Sequence, residues 1–75
     1  MESDYYEKAL GLCDFDAQTR RIIKARFGFG EGIMRTLGEV AEMENLTREQ
    51  VRRIEAKAIK QMREVLPHKS AEESK

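Results

Sequence analysis

Between Thr47 and Arg63 stand six basic side chains, Arg48, Arg52, Arg53, Lys57, Lys60 and Arg63, against two acids, Glu49 and Glu55. Cations at this density bind phosphate, and arginine adds a planar fork that can hold a base edge at two points. On a helical wheel Val51, Ile54, Ala58, Met62 and Val65 form one narrow apolar stripe, which predicts an amphipathic helix. Glu49, Arg52, Arg53, Ala56 and Lys60 fall on the other side, flanked by Lys57 and Arg63. From Met1 to Asp16 the balance reverses, with one base (Lys8) against five acids (Glu2, Asp4, Glu7, Asp14, Asp16). A formal net charge of zero therefore hides a polarised molecule. Screening confines each charge to about 8–10 Å at physiological salt, so the basic face acts locally.

Such a face must be presented at a fixed angle, and the residues before it supply the means. Thr36 with Glu39 is a capping-box pattern that starts a helix at Leu37. Leu37, Val40 and Ala41 share a face of it, and the small Ala41 lets the following helix cross close by. Asn45 tolerates the left-handed conformation and can stop this helix, after which Leu46 returns the chain to the core. Thr47 with Gln50 is a second capping box, opening a helix to about Leu66. Each cap is worth about 1 kcal/mol, so both starts are well fixed. Two helices about a tight turn, the second basic on its outer side, make a helix-turn-helix suited to a DNA major groove.

The strings Arg26-Phe27-Gly28, Arg35-Thr36-Leu37, Glu39-Val40, Thr47-Arg48-Glu49 and Val51-Arg52-Arg53-Ile54-Glu55-Ala56-Lys57-Ala58 resemble region 4 of bacterial sigma factors of the sigma-70 type. The resemblance runs without gaps from about Phe15 to Arg63. Its most specific part is the Arg-Ile-Glu-Ala-Lys-Ala string at its proper distance from Arg-Phe-Gly. It implies that the second motif helix reads the upstream promoter hexamer, the minus-thirty-five element. The family's base-reading positions fall on Arg48, Glu49 and Arg53, with Arg52 as a neighbouring DNA contact. The chemistry agrees, because arginine can hold guanine bidentately and glutamate can accept from a cytosine amino group. Lys57, Lys60 and Arg63 are expected on phosphates, which position without specifying sequence. Arg35 and Thr36, with Thr47 at the next helix start, are expected to grip the DNA backbone. The resemblance also implies docking on RNA polymerase core through the N-terminal half, mainly on the beta-subunit flap. An anti-sigma factor or an activator is a further implied partner.

Four positions depart from that pattern. Arg53 stands where primary sigma factors commonly carry Gln, and Gln50 where they often carry Arg. Exchanging an amide for a guanidinium changes which base edge is satisfied, so an altered hexamer preference is expected. Asn45 replaces the usual Gly. Glu44 occupies a normally apolar site, and Met43 is expected to pack in its stead through a small rotation of the helix end.

The chain's 75 residues suffice for one small domain. The expected architecture is all-α, a small bundle of about four helices over residues 1–66, with a polar, disordered tail at 67–75. A short helix from Ser3 places Tyr6, Ala9, Leu10 and Cys13 on one face. Asp16 caps the next helix behind Phe15, with Ile22, Ile23, Arg26 and Phe27 at helical spacing up to Gly28. The glycine-rich loop after it lacks the Gly-Lys-Ser/Thr ending of a phosphate loop, and no strand precedes it. Its glycines are expected to turn the chain, and Phe27 and Phe29 to join the core. Pro67 should end the last helix.

Catalysis is not expected. The sequence offers no convergent nucleophile, base and oxyanion donors, and His68 has no second ligand or base near it. Glu39, Glu42 and Glu55 read as caps and helix-surface charges. Cys13 is alone, which excludes an internal disulfide, and reads as a buried, inert thiol. No metal or cofactor is expected. No apolar run reaches membrane-spanning length and no signal-peptide pattern opens the chain, so a cytosolic, nucleoid-associated protein without a membrane partner is expected. A two-fold repressor would demand a dimer interface, and the absence of a strong spare apolar face predicts a monomer. Two functions stay open: a promoter-reading module, or an adaptor that binds polymerase, an anti-sigma factor or an activator without reading DNA. Whether the chain is a fragment of a longer sigma factor or a free-standing regulator also stays open.

Overall fold

The computed structural model describes residues 2–66, with side chains from Tyr6 onward; Pro67, His68 and the expected tail lie outside the described residues. Within them the chain forms α1 (Glu2–Leu12), α2 (Ala17–Phe27), α3 (Leu37–Glu44) and α4 (Arg48–Val65), and no strand. This is the expected small all-α bundle, with α3 and α4 as the helix-turn-helix.

The starts of α2, α3 and α4 are each fixed by a side chain that accepts from otherwise unpaired amides. The Asp16 carboxylate accepts from the Thr19 N–H at 2.8 Å. Thr36 Oγ1 accepts from the Glu39 N–H at 3.1 Å, and Glu39 reaches back to the Thr36 N–H at 2.9 Å. Thr47 and Gln50 repeat the exchange at the same distances. The stops are equally specific. Gly28 has φ +76, and a Cβ there would meet the Ile33 main chain at 3.1–3.2 Å, so only glycine fits. Asn45 adopts φ 58 and ψ 45, the left-handed stop expected of it. The Leu46 N–H then bonds Ala41 O at 2.8 Å and the Asn45 N–H bonds Glu42 O at 3.3 Å, closing the last turn.

α4 packs against each of the other three helices. Its buried side divides between two apolar clusters. Val51 joins Ile22, Ala25, Val40 and Ala41, with Leu37, Leu46 and Ile54 packed around them. Ala58 and Met62 join Ala9, Leu10, Cys13, Ile23, Phe29 and Leu66, with Tyr6, Phe15 and Phe27 against them. Consecutive Ile22 and Ile23 thus point into different clusters, and α2 ties both to α4. Val65, expected on the stripe, is exposed; Leu66, just past the helix end in extended backbone, is buried beside Met62 instead.

Three arginines of α2 make the polar joints. Arg20 donates to Leu10 O at 3.1 Å and Cys13 O at 2.8 Å, giving α1 the C-terminal cation that its own last turn lacks. Cys13 is buried, which pushes its thiol pKa up against the opposing pull of Arg20. Arg21 holds Glu44 bidentately at 2.9 and 2.8 Å. Arg26 bonds Glu55 at 2.9 Å and Arg35 O at 2.7 Å, joining α2, α4 and the loop before α3.

Two expectations are corrected here. Met43 does not replace Glu44 in the interior: Met43 stays exposed, while the side chain of Glu44 is only 8% exposed. The bidentate bond from Arg21 satisfies that carboxylate, so no rotation of the helix end is needed. Glu55 is not a surface charge either. Its side chain is 17% exposed and that of Arg26 26%, a half-buried interhelical pair.

Candidate nucleic-acid interface

The capping box at Thr47 sets where α4 begins, and the turn at Asn45 sets its angle to α3. Together they place Arg48, Glu49, Arg52 and Arg53 in the first two turns, all exposed. Glu49 organises this group. Its Oε1 accepts from Arg52 Nε at 3.0 Å, and its Oε2 accepts from Arg52 Nη2 at 2.6 Å and Arg53 Nε at 3.0 Å. The Arg52 hydrogen bond, then that of Arg53, holds the Glu49 carboxyl below the usual range, while Glu49 raises the Arg52 guanidinium.

Arg48 lies apart from the fork. It crosses over Gly38 in α3, where a Cβ would come within 3.0 Å of its Nε. The arm and the elbow of the motif enclose a shallow concavity of about 540 Å³, lined by Thr36, Gly38, Asn45, Leu46 and Arg48 among others. Thr36 and Thr47 both spend their own amides and their hydroxyl acceptor capacity on capping. Their hydroxyl protons remain available as donors. Arg35 is anchored by its main chain, its N–H bonding Ala25 O at 3.0 Å, and its guanidinium meets Glu31 at 3.2 Å.

Further along α4, Lys57 and Lys60 are exposed on the same side as Arg53. At about 1.5 Å rise per residue, Lys60 lies roughly 10 Å beyond Arg53 and Arg63 roughly 15 Å. Arg63 leans toward α1, with its Nε 3.4 Å from the Tyr6 hydroxyl. The structure therefore brings Glu49, Arg52 and Arg53 into direct contact and sets Arg48 and Thr36 beside one hollow. Lys57 and Lys60 continue the ridge, and Arg63 sits at its far end.

A positively charged helix at a fixed elbow acquires meaning from kinship. The family model for sigma-70, region 4 matches residues 14–64. The chain belongs to the sigma-70 region 4 family. A probable RNA polymerase sigma-C factor of Synechocystis sp. is 42% identical over 52 residues, 69% of this chain and 13% of that protein. The RNA polymerase sigma factor SigA of a Nostoc species is 43% identical over 52 residues, with the same coverage. SigA of Clostridium acetobutylicum is 46% identical over 43 residues, 57% of this chain and 11% of that protein. The chain thus spans about an eighth of the length of the curated relatives it matches. Region 4 is the DNA-binding, non-enzymatic part of sigma factors.

Sequence reasoning missed the partners that hold this surface in place. Arg26 and Glu55 both stood inside the quoted strings, and their charges were the available signal. Their pairing across 29 positions was not written in any local spacing. Gly38 gave no signal, since a glycine within a helix usually reads only as a weak point.

Proposed function

We propose that this domain recognises the minus-thirty-five promoter element with α4 while its N-terminal half docks on RNA polymerase core, at the beta-subunit flap. Arg48, Glu49, Arg52 and Arg53 select the sequence in the major groove. Arg35, Thr36, Thr47, Lys57, Lys60 and Arg63 contact phosphates and set the register. The observation that carries this reading is the exposed guanidinium cluster in the first two turns of α4, held at a defined angle by the Asn45 turn. The domain acts as a monomer. With four cationic phosphate contacts, affinity for free duplex should fall with a log-log salt slope of roughly −3 to −4. Tethering to polymerase supplies the effective concentration that such weak binding needs.

An NMR shift titration with a minus-thirty-five duplex and a scrambled control tests the reading. Promoter DNA should perturb α4 from Arg48 to Arg63 and the start of α3, and leave α1 unmoved except at Tyr6, which Arg63 touches. Arg53→Ala should relax preference at one base pair by about 1–3 kcal/mol, whereas Lys60→Ala should weaken all duplexes alike. Equal binding of promoter and scrambled duplexes, with a polymerase flap peptide still bound, would replace this reading with the adaptor. An anti-sigma factor or activator would then be the partner to seek.

A further inference from the structure

We propose that Glu49 governs sequence choice as a positioning residue, holding Arg53 end-on toward one guanine rather than reading a cytosine itself. This rests on the DNA-reading function proposed above and names the base it takes.

The lone pairs of the carboxylate are the first ground. A carboxylate offers about four acceptor directions, and three are filled here, two by Arg52 and one by Arg53. One direction remains, so a cytosine amino group would have to share a carboxylate already engaged by two guanidiniums. The second ground is the edge that each arginine retains. Arg52 spends its Nε and Nη2 on the carboxylate and anchors it. Arg53 spends only Nε, and its Nη1 and Nη2 have no partner among the described residues. Its side chain is 75% exposed. That terminal pair is the edge that meets guanine O6 and N7.

Charge gives the third ground. A solitary carboxylate entering a groove between phosphates is repelled, but Glu49 with two guanidiniums enters as a unit of net +1. Exposed ion pairs are weak in water, so the fork adds little stability to the free domain. A groove that excludes water strengthens the same contacts. The spacings, three and four residues along one helix, build the fork before DNA arrives. The arginine at position 53 is essential to this, because a shorter amide there could not place a terminal fork beyond the carboxylate.

The test measures competition binding of the full chain to a set of minus-thirty-five duplexes, each with one base pair replaced, plus a scrambled duplex. Arg53→Ala should lose about tenfold of a guanine preference at one position. Glu49→Gln should lose about threefold at that same position and nowhere else, and the double variant should lose no more than Arg53→Ala. In the free protein, the Arg53 Nε–H resonance should shift in Glu49→Gln while the helix amides stay in place. If Glu49→Gln alters a different base pair from Arg53→Ala, or alters none, the positioning role is overturned while DNA reading stands. If the unsubstituted chain binds every duplex alike, scrambled included, the DNA-reading function falls and the positioning role falls with it.

Discussion

Val51 and Met62 lie on one helix and are both fully buried, yet the regions around them are built by different means. Around Met62 the neighbours are large and soft: Leu10, Ile23, Phe29 and Leu66, with Tyr6 and Phe27 in an edge-on ring contact at 5.5 Å. Around Val51 the buried side chains are mostly small, and the fixtures are polar. Two capping boxes, a left-handed asparagine and two interhelical arginine–glutamate pairs enclose that cluster. The Met62 side supplies apolar area, which is non-directional and holds elements together. The Val51 side supplies hydrogen bonds, which are directional and fix angles. A helix that must meet a groove in register needs the second kind near its reading end.

The largest expected effect follows from this division. Met62→Ala should destabilise the domain by about 3 kcal/mol, through lost transfer energy and a cavity beneath α1. A domain of this size has roughly 4–11 kcal/mol in total, so the variant should unfold at much lower denaturant. Val51→Ala removes fewer atoms and should cost about half as much. Urea unfolding followed by circular dichroism measures both. Equal losses would erase the distinction between the two clusters.

Glu55→Ala comes next. It leaves the half-buried Arg26 guanidinium without its carboxylate, though Arg35 O still accepts from Nη1 at 2.7 Å. With that partner retained and some solvent access, the cost should be about 1–2 kcal/mol. The effect should be directional: amide exchange should quicken at the start of α3 before it quickens in α1. Uniform acceleration would mean that the pair holds mass rather than angle.

How legible these regions were differs in the same way. The caps at Thr36, Thr47 and Asp16 and the stop at Asn45 are local, each defined by residues three or four apart. They stood in the sequence and appear in the structure. The apolar stripe of α4 was legible to Met62 but not at its end: helical phase chose Val65, whereas the helix stops there and the extended Leu66 is the residue buried. The polar joints were not legible, because a pair such as Arg21 with Glu44 is 23 residues apart and depends on how α2 crosses α3. Glu44 looked like a misplaced charge for that reason. At the interface, the exposed side of α4 was readable from its periodicity. The i,i+3 and i,i+4 spacings allow Glu49 to be shared between Arg52 and Arg53, but which nitrogens meet it depends on rotamers as well.

Acid should separate the two regions by a smaller amount. The Arg21 hydrogen bond holds the Glu44 carboxyl below its usual pKa, helped by the charge of Arg21. A depressed folded-state value means that this contribution is complete above the ordinary carboxylate range and disappears as pH falls through the folded value. Asp16 and Glu49 are depressed as well, so the total slope belongs to several groups. The comparison with Glu44→Gln isolates one of them. The stability gap between the two proteins should be widest near neutral pH and narrow steadily in acid. A gap independent of pH would assign the Arg21 contact to hydrogen bonding without charge.

The smallest effect is the sharpest discriminator, because it moves stability and recognition in opposite directions. Gly38 is a helical residue, and alanine there should stabilise α3 by about 0.5 kcal/mol through a lower entropy cost. The new Cβ would sit 3.0 Å from Arg48 Nε and 3.3 Å from its Nη2. Those atoms end a flexible arm and can swing away at little cost, so the fold tolerates the change. Arg48 would then leave the hollow beside Thr36 and Asn45, and promoter affinity should fall about two- to threefold at unchanged salt slope. Melting temperature and competition binding read the two consequences separately. A rise in both would show that Arg48 makes the contact proposed for it from any rotamer; a fall in both would mean that the arm over Gly38 supports α3 itself, so that the fold depends on a side chain the proposed function assigns to the duplex.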